Sequence, residues 1–83
     1  MSPRVLQLEA LNVYVKIHWK ENHGPHCHVV GPGAQASFEL QTFECLASRG
    51  FSEVAINRIQ KALKRYQTFL LEKWDEIQEE SKD

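Results

Sequence analysis

The first regular pattern along the chain is Val13, Val15, Ile17 and Trp19 alternating with Tyr14, Lys16, His18 and Lys20. Successive side chains of a strand point to opposite sides of a sheet, so this period of two predicts a strand with one buried face. Val5, Leu6, Leu8 and Leu11 lie just before it and are read as a backward extension of the same strand. Glu21-Asn22-His23-Gly24-Pro25 then breaks the pattern, because Gly admits unusual dihedrals and Pro withdraws a ladder donor. From His26 a second strand is expected, with His26, His28 and Val30 on one face and Cys27 and Val29 on the other. Gly31-Pro32-Gly33 closes a hairpin connection. In a third strand Ala34, Ala36, Phe38 and Leu40 alternate with Gln35, Ser37, Glu39 and Gln41, so its polar face should meet solvent or a partner.

Residues Thr42 to Gly50 read as a connection, with Gly50 as a stop signal and Ser52 as the N-cap of a helix. Ile56, Ile59, Leu63, Tyr66, Leu70, Trp74 and Ile77 recur at spacings of three or four, the stripe of one amphipathic helix or of two in succession. The expectation is one α+β domain over residues 1–83, with a small antiparallel three-stranded sheet followed by one long or two consecutive C-terminal helices. Glu79 to Asp83 have no apolar neighbour to hold them and should fray as an acidic tail.

Composition narrows the class. The chain is 83 residues long, 42% hydrophobic and 25% charged, which fits an ordinary globular domain. No apolar run approaches the roughly 18 residues of a spanning helix, and the first twelve residues lack the uninterrupted apolar core of a secretory signal, so a cytoplasmic location is expected. Two cysteines, Cys27 and Cys45, are too few for a disulfide framework and are read as free thiols. A formal charge of −1 argues against a grip on nucleic acid by the whole surface and leaves room only for a local basic patch. No glycine-rich phosphate loop, nucleophile elbow or zinc-protease helix motif occurs.

Candidate chemistry concentrates in His23-Gly24-Pro25-His26-Cys27-His28, which holds three of the four histidines. Residues two apart on a strand share a face, so His26 and His28 can present two imidazoles side by side, one as general base and one as general acid, as a metal-independent ribonuclease requires. His18 is a third candidate if a neighbouring strand brings it to that face. The same spacing suits a divalent transition metal such as zinc, held by His23, His26 and His28. A third reading makes these histidines hydrogen-bonded and inert. On the helical half, Arg58, Lys61 and Arg65 share one face and, with Lys16, can meet phosphates. Acidic residues Glu72, Asp75, Glu76, Glu79 and Glu80 come next, so this half is polarised from basic to acidic in a way a partner protein can also read. Tyr14, beside Lys16 and His18 on the polar strand face, stands apart from the aromatics at core spacing.

The strand Val13 to Trp19, the His23 to Val29 segment, a small-residue strand and Leu70-Leu71-Glu72-Lys73-Trp74 together resemble the bacterial domain-of-unknown-function 4160 family, over roughly Val13 to Trp74. Pro25, His26, His28 and Val29 match its histidine segment, and Leu70, Leu71 and Trp74 match its closing helix. Cys27 stands where the family usually has an aromatic, and Ala62 and Tyr66 stand where it has Trp and His. The resemblance implies a β-rich half with a helical half behind it, and a two-gene toxin–antitoxin-like setting beside a small protein of the domain-of-unknown-function 2442 type. The leading expectation is a component of such a module that acts through RNA, DNA or that partner, with no cofactor. A plain protein-interaction domain is the further alternative, and short polar-faced strands leave sheet edges on which a homodimer can form.

Overall fold

The computed structural model describes residues 4–17 and 24–80. In chain order the strands are β1 (Arg4–Leu8), β2 (Val13–Lys16), β3 (His26–Gly31), β4 (Ala34–Glu39) and β5 (Cys45–Arg49), followed by the helices α1 (Glu53–Arg65) and α2 (Gln67–Glu80). The strands form one antiparallel meander in the order β1-β2-β3-β4-β5. The α+β class and the consecutive helices agree with the sequence pattern, and the helical region is two helices. The expected three-stranded sheet is corrected to five strands.

Both additional strands have a local cause that periodicity conceals. Val5 to Leu8 do not continue β2 but fold back on it: Glu9–Leu11 form a 3₁₀ turn, and Asn12 takes the left-handed conformation at φ 55, donating its N–H to the Glu9 carbonyl at 3.1 Å. Asn accepts that conformation more readily than most residues. At the other edge, Cys45-Leu46-Ala47-Ser48-Arg49 has no β-branched or aromatic alternation, so it reads as a connection, yet its backbone pairs with β4. An edge strand needs only one ladder of backbone bonds and little burial to exist. The reversal into it turns on Phe43, at φ 61, whose N–H donates to Glu39 O at 2.7 Å while its ring is only 1% exposed.

Val13, Val15 and Ile17 of the β2 segment, Cys27 and Val29 of β3, and Ala36 and Phe38 of β4 all point to one side. There they form a single cluster with Ile59 and Leu63 of α1 and with Leu70, Trp74 and Ile77 of α2. Ser52 caps α1 as expected, its Oγ accepting from Ala55 N–H at 3.1 Å. Gln60 and Gln67 fasten the helices to the β4–β5 turn by donating to Phe43 O at 2.9 Å and to Leu40 O at 3.0 Å. Tyr66, expected in the apolar stripe, instead sits in the one-residue break between the helices and is 40% exposed. Gly50 precedes α1 at φ 87, and an added Cβ would lie 2.5 Å from Gly33 O, so the conformation and the space both demand glycine.

Candidate functional site

With the helices on one side, the other side of the sheet is left uncovered, and the register determines what it presents. Arg4, Lys16, His28, Ser37 and Ala47 lie opposite one another in one row across the five strands. A second row holds Gln7, Tyr14, Val30, Gln35 and Arg49. Between Lys16 on β2 and Arg49 on β5, the small side chains of Ser37 and Ala47 leave an open trough of about 510 Å³, lined also by His28, Val30 and Gln35. That volume is within the roughly 300–1,000 Å³ of small-molecule sites.

The trough is basic. Lys16 and Arg49 line it, and no acidic side chain does so among the described residues. Arg4 lies on the same face, its Cζ 3.8 Å from the centroid of the Tyr14 ring, a cation–π contact that positions both groups at the rim. Glu39 sits further along β4, opposite His26, and its carboxylate is turned into its own reversal: it accepts from Gln41 N–H at 3.1 Å and from the Thr42 hydroxyl at 2.8 Å. The acid nearest in register is thereby drawn toward the turn.

The two strand histidines are brought together, with ring centroids 5.2 Å apart and planes at 71°, but their surroundings differ. His28 is half-buried and lines the trough. His26 is 8% exposed; its Nδ1–H donates to Gly24 O at 2.8 Å, and the Trp74 ring of α2 lies 5.5 Å away. Leu40 N–H closes the same corner by donating to Pro25 O at 2.9 Å. The Pro25-His26 segment and Trp74, separated in sequence, are thus one packed corner.

Lys16 and the helical cations do not converge. Arg58, Lys61 and Arg65 are exposed on α1, whose Ile59 and Leu63 face the core, so the core separates them from Lys16. His18 and His23 lie outside the described residues, and the metal reading with them; among the described residues, no three His, Cys, Asp or Glu side chains gather where an ion could be held. Cys27 points into the core, where burial pushes its thiol up to about 12 from an ordinary 9.0. Cys27 and Cys45 are free, and with β4 between them their backbones stand about 9–10 Å apart, beyond disulfide reach. Arg49 and Arg4 escape the sequence reading because their strands do; an arginine closing a short run of small residues, Ala47-Ser48, before Gly50 is the signal available for the first.

The histidine segment and the Leu70 to Trp74 helix both fall within a stretch that matches a known family. A family model described as Domain of unknown function (DUF4160) matches residues 12–75. The chain belongs to this family. No curated protein and no solved structure matches it. The DUF4160 match takes in β2 to β5, α1 and most of α2, so it includes Lys16, His26, His28, Arg49 and Trp74 and leaves out Arg4 and β1. No helix among the described residues is long and apolar enough to cross a membrane.

Proposed function

We propose that this DUF4160 protein is the nucleic-acid-binding member of a bacterial two-gene toxin–antitoxin-like module, and that it holds single-stranded RNA in the trough on the uncovered sheet face. One observation carries the binding reading: Lys16, Arg49 and His28 line a trough in which no acid stands among the described residues, and Arg4 and Tyr14 share its sheet face. Backbone phosphates supply charge for such cations, and unstacked bases supply faces for rings. A trough receives a single strand, whereas duplex grooves are entered by projecting helices or ribbons. The module and a small partner of the domain-of-unknown-function 2442 type are supported by the family resemblance alone.

Binding is favoured over cleavage because only one of the two imidazoles opens on the trough. His28 faces the trough, while His26 is anchored between Gly24 O and Trp74. In this reading His28 contacts RNA and His26 braces the corner behind it.

Fluorescence anisotropy with a short labelled single-stranded RNA tests this. Three phosphate contacts give a slope of about −2 in log K against log salt, so affinity should fall roughly 20-fold between 50 and 200 mM salt. Arg49→Ala and Lys16→Ala should each weaken binding by about tenfold and flatten the slope by about 0.7. A folded double variant that binds as tightly as wild type, with the same salt dependence, would rule the trough out.

A further inference from the structure

The α1–α2 rod carries a charge pattern that the trough does not use. Ile59 and Leu63 before the Tyr66 break and Leu70, Trp74 and Ile77 after it are all buried, so the apolar stripe keeps its phase across the break. Leu70 N–H donates to Tyr66 O at 2.8 Å, so the ladder of α2 starts from the break residue itself. Five strands at about 4.8 Å apart account for only about 24 Å of width. The 39 Å long axis of the molecule is therefore set by the helices, and residues 53–80 as one straight helix would measure about 42 Å. The two helices thus run nearly end to end.

At 3.6 residues per turn, Arg58, Lys61, Arg65, Glu72, Glu76 and Glu79 all fall on the side turned away from the core stripe, and all are exposed. Their order is basic, then acidic, with Phe69, 36% exposed, at the midpoint. The spacing is symmetric as well: Arg65 and Glu72, Lys61 and Glu76, and Arg58 and Glu79 are each equidistant from the point between Thr68 and Phe69. A second rod laid antiparallel about a two-fold axis through that point sets each of these three cations opposite an anion. Each of the three pairs then occurs twice, because a two-fold interface repeats its contacts.

We propose that this outer helix face is the self-association surface of the protein, and that its occupant is a second copy of the same chain. Two rods in this register pair Arg65 with Glu72 beside the axis, Lys61 with Glu76 and Arg58 with Glu79 outward, and bring the two Phe69 rings to the centre. The Lys73–Glu76 contact within each chain, at 3.2 Å and exposed, lies beside the seam and yields Glu76 at little cost. A strip one helix diameter wide along the 39 Å axis covers roughly 400–500 Å² per copy, about half of a standard interface, so the dimer is a weak and salt-sensitive one. Both sheet faces remain outside it, so this inference stands whether or not the trough binds RNA.

Sedimentation equilibrium of the full chain, with Arg65→Glu and Glu72→Arg made separately, is the test. Wild type should dimerise at low salt and become monomeric at about 0.5 M salt, where charges beyond a few ångströms are screened. Arg65→Glu sets Glu against Glu72 twice and Glu72→Arg sets Arg against Arg65 twice, so each variant alone should self-associate about tenfold more weakly or worse. An equimolar mixture of the two restores opposite charges at both sites and should recover the dimer. Both positions are exposed, so circular dichroism should remain that of wild type. A wild type that is monomeric at 100 µM and low salt would overturn the proposal, leaving the face to a different protein. So would single variants that dimerise like wild type, or a mixture that stays monomeric.

Discussion

His26 and His28 stand two residues apart on one strand and share a face, yet one is 8% exposed against Trp74 and the other lines an open trough. Residue identity is the same for both; the difference lies in their surroundings, the Trp74 ring of α2 beside the first and the trough beside the second. Cys27, between them, shows the same dependence on surroundings. Its thiol is pushed up to about 12 by burial, so between pH 9 and 12 the unfolded chain loses a proton that the folded chain keeps. Stability from this group is complete below pH 9 and declines as pH rises through that window. Thermal melts should therefore drop above pH 9, and a Cys27→Ala variant, although less stable at neutral pH, should lose that part of the decline. At pH 8, thiol alkylation followed by mass spectrometry should modify the half-buried Cys45 first and reach Cys27 only on unfolding.

Among the elements, α1 is the most legible in the sequence and β5 the least. A helix announces itself by cap and stripe together: Ser52 accepts from Ala55 N–H, and Ile59 and Leu63 are buried. Removing the cap with Ser52→Ala leaves one first-turn N–H to water and should cost about 1 kcal/mol, read as a lower urea midpoint at unchanged slope. Strand β5 is held by backbone pairing to β4 and by little else, since Leu46 to Arg49 are all exposed. Side-chain periodicity reports burial, so a strand that buries almost nothing is invisible to it. Strand β1 is hidden differently: its apolar residues stand out, but the reversal rests on one left-handed Asn12, which a pattern of apolar positions does not encode.

For the molecule as a whole, one core holds everything, and the loop residue Phe43 is as deeply buried as Phe38 in the centre of β4. Its ring joins the β4–β5 turn to the helices, with Gln60 bonded to its carbonyl. Phe43→Ala should therefore cost about 3–5 kcal/mol, a large share of the roughly 5–15 kcal/mol that keeps a small protein folded. Its thermal midpoint should fall by well over 10 °C, and a loss of only a degree or two would mean that the turn is not part of the core. If the helix faces pair as proposed, the two troughs point outward in opposite directions, and each dimer presents two separate troughs.

Alternation alone determined the paired faces of β2, β3 and β4, because one side of each had to be apolar to be buried. The three-to-four spacing likewise determined the helical half, and the symmetric run of charge from Arg58 to Glu79 was already present in it. Tertiary structure decided which polar residues meet. Lys16, His28 and Arg49 belong to three strands, and only the register of the meander sets them around one trough. It also separated Lys16 from Arg58, Lys61 and Arg65, which the charge pattern had grouped together. Sequence periodicity records how each element divides water from core, whereas the neighbours of a polar side chain depend on backbone pairing between segments that carry no mark of one another.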